Sequence, residues 1–597
     1  MPRTSEKTAR TQDDPTPPAG PADRRSGRAG VVAGLCALAV LAITEPMLAI
    51  AWDEGYTLGR ERRIRWWLSA LADPEGFSRT WDPPAIQLVQ PDGPPLKGRE
   101  PVPTPTAEQV DTRAELFDPQ VIAYFWPFAR EEPHGHPPFY AILGLAGDLL
   151  TPWRDDLGRA RLGPMLLASL AAGALFTFLD RRYGRWAAVA GASAMVLQPR
   201  LFGHAHYAAY DAPLTALWVL AVLAFATATE DLGRRVPRWP WVAVLGVVIG
   251  AAAATKLTGW FLPIPMLAWV AIFRDRRGLL ALLAAGPVAL ATIYAMVPPW
   301  WHDPIDGFVR FLASNTGRGE TIPIRTLYLG RIYKTPVESL PPDNTLVLTA
   351  LVTPVGYLGL ALVGALRAAV AHRSERFGTL VALHWLFLLA LRAMPHVPGH
   401  DGVRLFLPAF GMLAILMGVG AAVAVARLGR WGKLVVAAAV VEGAAGVAVM
   451  MPVPLSYYSP AVGGLPGATR LGMEPTYYWD AMTPGVLDWL DEHTPPGRKA
   501  VATSFPTSFL FLNGSGRLGT PIEPEGVPLS PAEPAWFVVQ NRPGSLDWLD
   551  RQLIRDAEPA YVGRKLGVPL LWVFPYEAVE AARRSRGNRP IMFQDLR

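Results

Sequence analysis

Residues 404–451 read RLFLPAFGMLAILMGVGAAVAVARLGRWGKLVVAAAVVEGAAGVAVMM, and this stretch decides the fold. Its two apolar runs, 404–426 and 434–451, are each long enough to cross a hydrocarbon core as a helix. Between them stand Arg427, Arg430 and Lys433. Lipid cannot hydrogen-bond a bare backbone, so runs of this kind are expected to be α-helical. Working outward, comparable runs fall at about 30–51, 160–179, 186–203, 212–229, 239–255, 259–273, 279–297, 346–366 and 378–394. The expectation is an all-α polytopic membrane protein of about eleven transmembrane helices. Composition agrees, because only 18% of the 597 residues are charged, where a soluble chain carries roughly a quarter.

The basic residues assign an orientation. Alternate connections hold Arg181, Arg182 and Arg185; Arg234, Arg235 and Arg238; Arg274, Arg276 and Arg277; Arg367, Arg373 and Arg376; and the three of the opening stretch. The intervening short connections 204–211 and 395–403 have no Lys or Arg, and 256–258 has only Lys256. Lys and Arg concentrate in cytoplasmic loops, which puts the N-terminus inside and the C-terminus outside a cell membrane. The net charge of +6 is therefore a topology signal and argues against nucleic acid as a partner. Residues 137–152 are apolar too, but a span there would invert every later loop. They are expected to lie at the outer interface as an amphipathic or re-entrant helix.

The domain reading follows. Residues 1–28, rich in Pro, Arg and Asp, form a disordered cytoplasmic tail. Arg24, Arg25 and Arg28 precede the first run, which has no small-residue cleavage site after it and reads as a retained anchor. Residues 29–451 make the transmembrane module, with outer loops at about 52–158 and 298–345. Residues 452–597 form a small extracytoplasmic α/β domain, with strands near Lys499–Ser504, Trp536–Gln540 and Leu570–Phe574 and helices near 484–492 and 545–555. The single cysteine, Cys36, excludes an intrachain disulfide and reads as a buried thiol.

Chemistry-bearing residues gather at the outer ends of the runs. Asp53 and Glu54 follow the first run in Trp52-Asp53-Glu54-Gly55-Tyr56. They are either solvated interface charges or a general base with a second, orienting or metal-binding acid. His136 precedes Pro137 and Pro138 at the outer surface, where an imidazole is within reach of a lipid phosphate. Arg159, Arg161, Lys256 and Arg404 lie near outer ends, against the general charge bias. They either snorkel to headgroups or converge on one phosphate. His204, His206 and Asp211 suggest a substrate or divalent-metal site, although the two-residue spacing splits the histidines between helix faces, and Asp211 also suits a helix N-cap.

In this order, several of these pieces resemble the GT-C glycosyltransferases of the protein O-mannosyltransferase and aminoarabinose transferase superfamily. The matching elements are Asp53-Glu54, His136-Pro137-Pro138, Arg161 with its following Leu-Gly-Pro, Arg181-Arg182 before Tyr-Gly, Asp211, and Thr255-Lys256. They cover about residues 50–300. The resemblance implies inverting transfer of one sugar from a polyprenyl-phosphate donor to a protein, lipid or glycan hydroxyl on the outer face. It implies Asp53 as base or orienting group, with Glu54 as the second acid. It also implies Arg161, Lys256 and His136 on the donor phosphate, where Arg404 is placed by its own sequence context, with no certain cofactor beyond a possible divalent metal ion. The chain departs from the mannosyltransferase pattern at Phe139-Tyr140, where a Gly-Lys-like continuation is usual, and it lacks the large lumenal repeat domain.

A transporter is the chief alternative, but transporters bury ionisable groups near the midplane and carry paired repeats. Here the spans are nearly charge-free. A non-catalytic assembly protein would need none of the outer polar residues. The topology is directly testable: a reporter fused at Arg276 should read cytoplasmic and one fused after Gly463 extracytoplasmic. The opposite readings would make 137–152 a span.

Overall fold

The computed structural model describes residues 21–83, 102–128, 136–230, 236–316, 324–335, 337–503, 506–526 and 529–586. Residues 1–20, the Glu131–Gly135 part of the histidine motif, and Arg234 and Arg235 lie outside them. The first helix, α1, is Pro21–Thr44 and so begins within the stretch read as a tail. The membrane module continues with α2 (Trp52–Ala72), α3 (Phe139–Leu150), α4 (Asp156–Tyr183), α5 (Arg185–Leu197), α6 (Asp211–Ala228), α7 (Trp239–Ala253), α8 (Pro263–Phe273) and α9 (Arg276–Met296). It closes with α10 (Val355–Val370), α11 (Arg376–Ala393), α12 (Pro408–Leu428) and α13 (Arg430–Met450).

Seven described helices are long and apolar enough to cross a membrane: α1, α4, α6, α9, α11, α12 and α13. Helices α5, α7, α8 and α10 overlie expected spans but are shorter. Helix α3 is the segment assigned to the interface. Its neighbour α2 carries Arg60, Glu61, Arg62, Arg63 and Arg65, too many charges for a lipid-facing span. These charges instead tie α2 to α3 and α4, through Arg65 to Asp148 and Arg62 to Asp156, both at 2.9 Å.

Helix α12 is the centre of the bundle, with every residue from Pro408 to Ala421 buried. A helix that is apolar on all sides needs cover on all sides. On the periphery, α1 exposes Val31 and Ile43, α9 exposes Leu283 and Leu290, and α13 exposes Val441, as helices solvated by lipid do. Small residues let backbones touch: a Cβ at Gly420 of α12 would collide with the carbonyl oxygen of Leu360 on α10, and one at Gly364 with that of Leu416.

Residues 452–586 add a mixed five-stranded sheet in the order β4-β3-β5-β7-β6. Its strands are β3 (Arg498–Ala502), β4 (Ile522–Pro524), β5 (Glu533–Gln540), β6 (Tyr561–Lys565) and β7 (Val568–Pro575). Strands β3, β5 and β7 coincide with the three runs expected from sequence. Strand β3 pairs in parallel with β4 and β5, while β7 runs antiparallel to β5 and β6. A two-stranded hairpin, β1 (Ile324–Tyr328) with β2 (Arg331–Thr335), was not legible in the second loop. Its turn places Leu329 and Gly330 at positive φ, 47° and 80°, the geometry of a tight hairpin without the usual Asn-Gly signal. The hairpin docks on the C-terminal region, where Gly330 N donates to Gly472 O at 2.9 Å.

The α10–α12 contact makes a specific claim. Gly420→Val should force the two backbones apart and cost about 1–3 kcal/mol, as overpacking does. It should be read as a lowered melting temperature in detergent, and an unchanged value would place the packing elsewhere.

Candidate active site

A charge cluster forms at the end of the membrane module that carries the sheet domain. Asp53 comes from the first turn of α2 and Asp211 from the first turn of α6. Lys256 stands in extended backbone just after α7. Asp401 and Arg404 come from the turn that leads into α12. The C-terminal region adds Tyr478 and Arg542.

Arg404 is the hub. Its Nε donates to Asp211 Oδ2 at 2.8 Å and its Nη1 to Asp401 Oδ2 at 2.8 Å. Its Nη2 donates to Asp53 Oδ2 at 2.7 Å and to the Tyr210 hydroxyl at 2.6 Å. Lys256 Nζ donates to the other oxygen of Asp211 at 2.7 Å and sits 4.7 Å from the centre of the Tyr210 ring. Arg542 Nη2 meets Asp401 Oδ1 at 2.9 Å. The Tyr478 hydroxyl donates to Asp53 Oδ2 at 2.7 Å, and its ring lies 4.3 Å below the Arg404 guanidinium. Three cations thus face three carboxylates. Asp53 is the most open carboxylate of the three, its side chain 14% exposed against 2% for Asp211.

The electrostatics keep Asp53 ionised. Burial pushes the Asp53 carboxyl up, but the Arg404 charge and the hydroxyls of Tyr210 and Tyr478 outweigh it and hold it below its ordinary value. Asp401 is likewise held low by Arg542 and Arg404 against its burial. The backbone here is unusual: Asp401, Tyr478 and Trp479 all take positive φ, 57°, 61° and 61°. Left-handed backbone at a tyrosine and a tryptophan is strained, and such strain persists only where the surroundings over-determine it.

Several expected residues lie elsewhere. Glu54 is fully enclosed. It accepts from Ala51 N at 2.8 Å, from Ala208 N at 2.9 Å, and from Arg161 Nε and Nη2 at 2.8 and 2.7 Å. Arg161 spends its remaining donors on Glu45 Oε1 at 3.1 Å and on the carbonyls of Glu45, Leu48 and Ala49. Glu54, expected as a second acid, and Arg161, expected on the phosphate, thus pair with each other in this structure. His206 bonds Phe202 O at 2.8 Å and Thr44 Oγ1 at 2.9 Å, turned toward α1. His204 instead faces the Tyr478 ring at 5.6 Å. With Asp211 claimed by Lys256 and Arg404, the three do not converge on a metal, and no cluster of three such ligands occurs among the described residues. His136 is buried with its ring 4.0 Å from that of Tyr210, beside the cluster.

Sequence reasoning missed Tyr210, Asp401, Tyr478 and Arg542. The first two sit within stretches singled out for Asp211 and Arg404. Tyr478 belongs to an aromatic run, Tyr477-Tyr478-Trp479, in an otherwise polar segment, which was the available signal. Arg542 offered none.

Residues 136–302, which carry His136, Asp211 and Lys256, match the family described as dolichyl-phosphate-mannose-protein mannosyltransferase. No curated protein matches the chain at the level required. Among solved structures, ArnT from Cupriavidus metallidurans bound to undecaprenyl phosphate is similar at a TM-score of 0.50 and 15% identity, covering 91% of this chain and 97% of that one. Archaeal oligosaccharyltransferase AglB from Archaeoglobus fulgidus, in complex with an inhibitory peptide and a dolichol-phosphate, gives 0.39 and 12%, covering 85% and 69%. The ArnT likeness speaks for the fold alone, and the family match covers residues 136–302 of the 597. Residues 136–302 are thus similar to a mannosyltransferase family, and the chain as a whole shares the fold of ArnT.

Proposed function

We propose that the protein moves a single sugar from a polyprenyl-phosphate donor to an acceptor hydroxyl at the outer membrane surface, with inversion at the anomeric carbon. The observation that carries this reading is the link from Asp53 through Arg404 and Asp211 to Lys256: an ionised carboxylate and two cations of the types that pair with phosphate sit within one hydrogen-bonded group. Asp53 takes the proton of the acceptor hydroxyl as its oxygen attacks the anomeric carbon. The bond from that carbon to the phosphate oxygen breaks, and the lipid phosphate leaves with the electron pair. Lys256 and Arg404, beside His136, stabilise the charge that grows on it. Arg404 and Tyr478 both bond Asp53 Oδ2, so Oδ1 accepts from neither of them. Asp211 aims the two cations, and the Glu54–Arg161 pair holds the start of α2 in place.

The test is transfer from a polyprenyl-phosphate sugar by the purified protein in lipid. Asp53→Asn keeps the hydrogen bonds to Arg404 and Tyr478 but cannot take a proton, so turnover should fall about 10²–10⁴-fold with folding intact. Near-normal turnover would remove Asp53 from the mechanism.

Binding and scaffold roles separate in a second pair of variants. Lys256→Ala should weaken donor affinity roughly ten- to a hundredfold, the worth of a charge-assisted contact. Arg161→Ala should instead strand Glu54 as a buried carboxylate with no charge partner and destabilise by about 3–5 kcal/mol. A stable Arg161→Ala protein with weakened donor binding would return Arg161 to the donor site.

A further inference from the structure

The cations of the cluster are already spent. Lys256, Arg404 and Arg542 are matched by Asp53, Asp211 and Asp401, so an arriving phosphate finds a set of charges that is balanced without it. One arginine beside this cluster is not spent. Arg392, in the last turn of α11, is 4% exposed, and its Nε and Nη2 are enclosed with no hydrogen-bond partner. No carboxylate pairs with it among the described residues. A guanidinium cannot shed its charge when buried, as a carboxyl or a lysine can, so it calls for an anion that the described residues do not supply.

The surroundings point the same way. Helix α11 packs against the turn that carries Arg404. In the connection between them lies His400, whose Nδ1 is also enclosed and unpartnered, and whose Nε2 is 3.9 Å from Asp401. The charges of Asp401, Arg404, Arg542 and Arg392 all act on this imidazole, so Arg392 belongs to the same neighbourhood. Burial pushes the imidazole down to about 3, which leaves it neutral and able to donate a single hydrogen bond. The connection is itself held: Gly399 N donates to Thr335 Oγ1 at 2.9 Å and His396 N to Ser339 Oγ at 3.0 Å.

We propose that Arg392, with His400 beside it, is the anion subsite that receives the phosphate of the polyprenyl lipid. This rests on the donor class proposed above and adds the counter-charge that Lys256 and Arg404 lack. Arg392 is then a binding residue whose unpaired state in the free protein is the cost of a waiting site.

The experiment uses the full chain in phosphatidylcholine nanodiscs, with undecaprenyl phosphate as the probe. Undecaprenol and phosphatidylglycerol at equal mole fraction are the controls, read by native mass spectrometry and thermal shift. The wild-type protein should prefer undecaprenyl phosphate to undecaprenol by about tenfold to a hundredfold and gain melting temperature with it. Arg392→Gln and Arg392→Met should lose that preference and the shift, and Arg392→Lys should recover part of both. Without lipid, Arg392→Met should melt at or above the wild-type temperature, because replacing an uncompensated buried charge by an apolar side chain relieves the fold. Folded Arg392→Gln and Arg392→Met proteins that keep the wild-type preference would overturn the proposal. So would phosphatidylglycerol binding that is as strong and as dependent on Arg392, since the site would then serve bulk headgroups. Arg392-dependent binding without any sugar transfer by the wild-type protein would leave the subsite standing and overturn the transferase reading instead.

Discussion

Everything at the functional end of this molecule hangs on the guanidinium of Arg404. It is planar, always charged and offers donors in a fixed fork, so it can bind three carboxylates at once where a lysine ammonium would not hold their directions. Asp53, Asp211 and Asp401 come from the starts of two helices and a connecting turn, and Arg404 brings them to one point. The cost of burying so many charges near lipid is offset only because each finds an opposite partner and a good hydrogen bond. Arg404 therefore both assembles the site and sets its electrostatics, since the same charge that joins the segments keeps Asp53 ionised.

A second buried arginine does the same work one layer deeper. Arg161 closes on Glu54 and Glu45 and on the carbonyls between them, fastening the end of α1 and the start of α2 to α4. Glu45 also accepts from Arg154 and from Arg517 of the C-terminal region, and Arg517 reaches Asp155 as well. The sheet domain is thus bonded to the base of the helix that presents Asp53. Tyr478 and Arg542 extend that connection into the site, and Trp52 N donates to Tyr478 O at 3.1 Å. The domain that looked separable in the sequence supplies part of the wall around the proposed base.

Packing in the bundle makes these contacts possible. Paired glycines on α10 and α12 bring the helices to backbone contact, and α12 is wrapped on every side. A rigid centre lets a hydrogen-bond network at one end keep its geometry, because the helices that carry it cannot drift apart.

The amino-acid sequence by itself determined which segments are apolar, how the basic residues are distributed between them, and that a small α/β unit follows. Hydropathy and strand pattern are properties of contiguous residues, and they depend on the solvent each run prefers rather than on its neighbours in space. The same reading marked Asp53, His136, Asp211, Lys256 and Arg404 as polar groups at run ends, and these gather in or beside one cluster. It could not tell them from Glu54, Arg161 and His206, which occupy equally suggestive positions and turn to structural partners. Nor could it find Tyr478, Arg542 or Arg392, hundreds of residues from Asp53. Whether a charge is spent or free depends on which oppositely charged atom lies within about 3 Å. That distance is set by helix packing across the whole chain, so only the tertiary structure decided it.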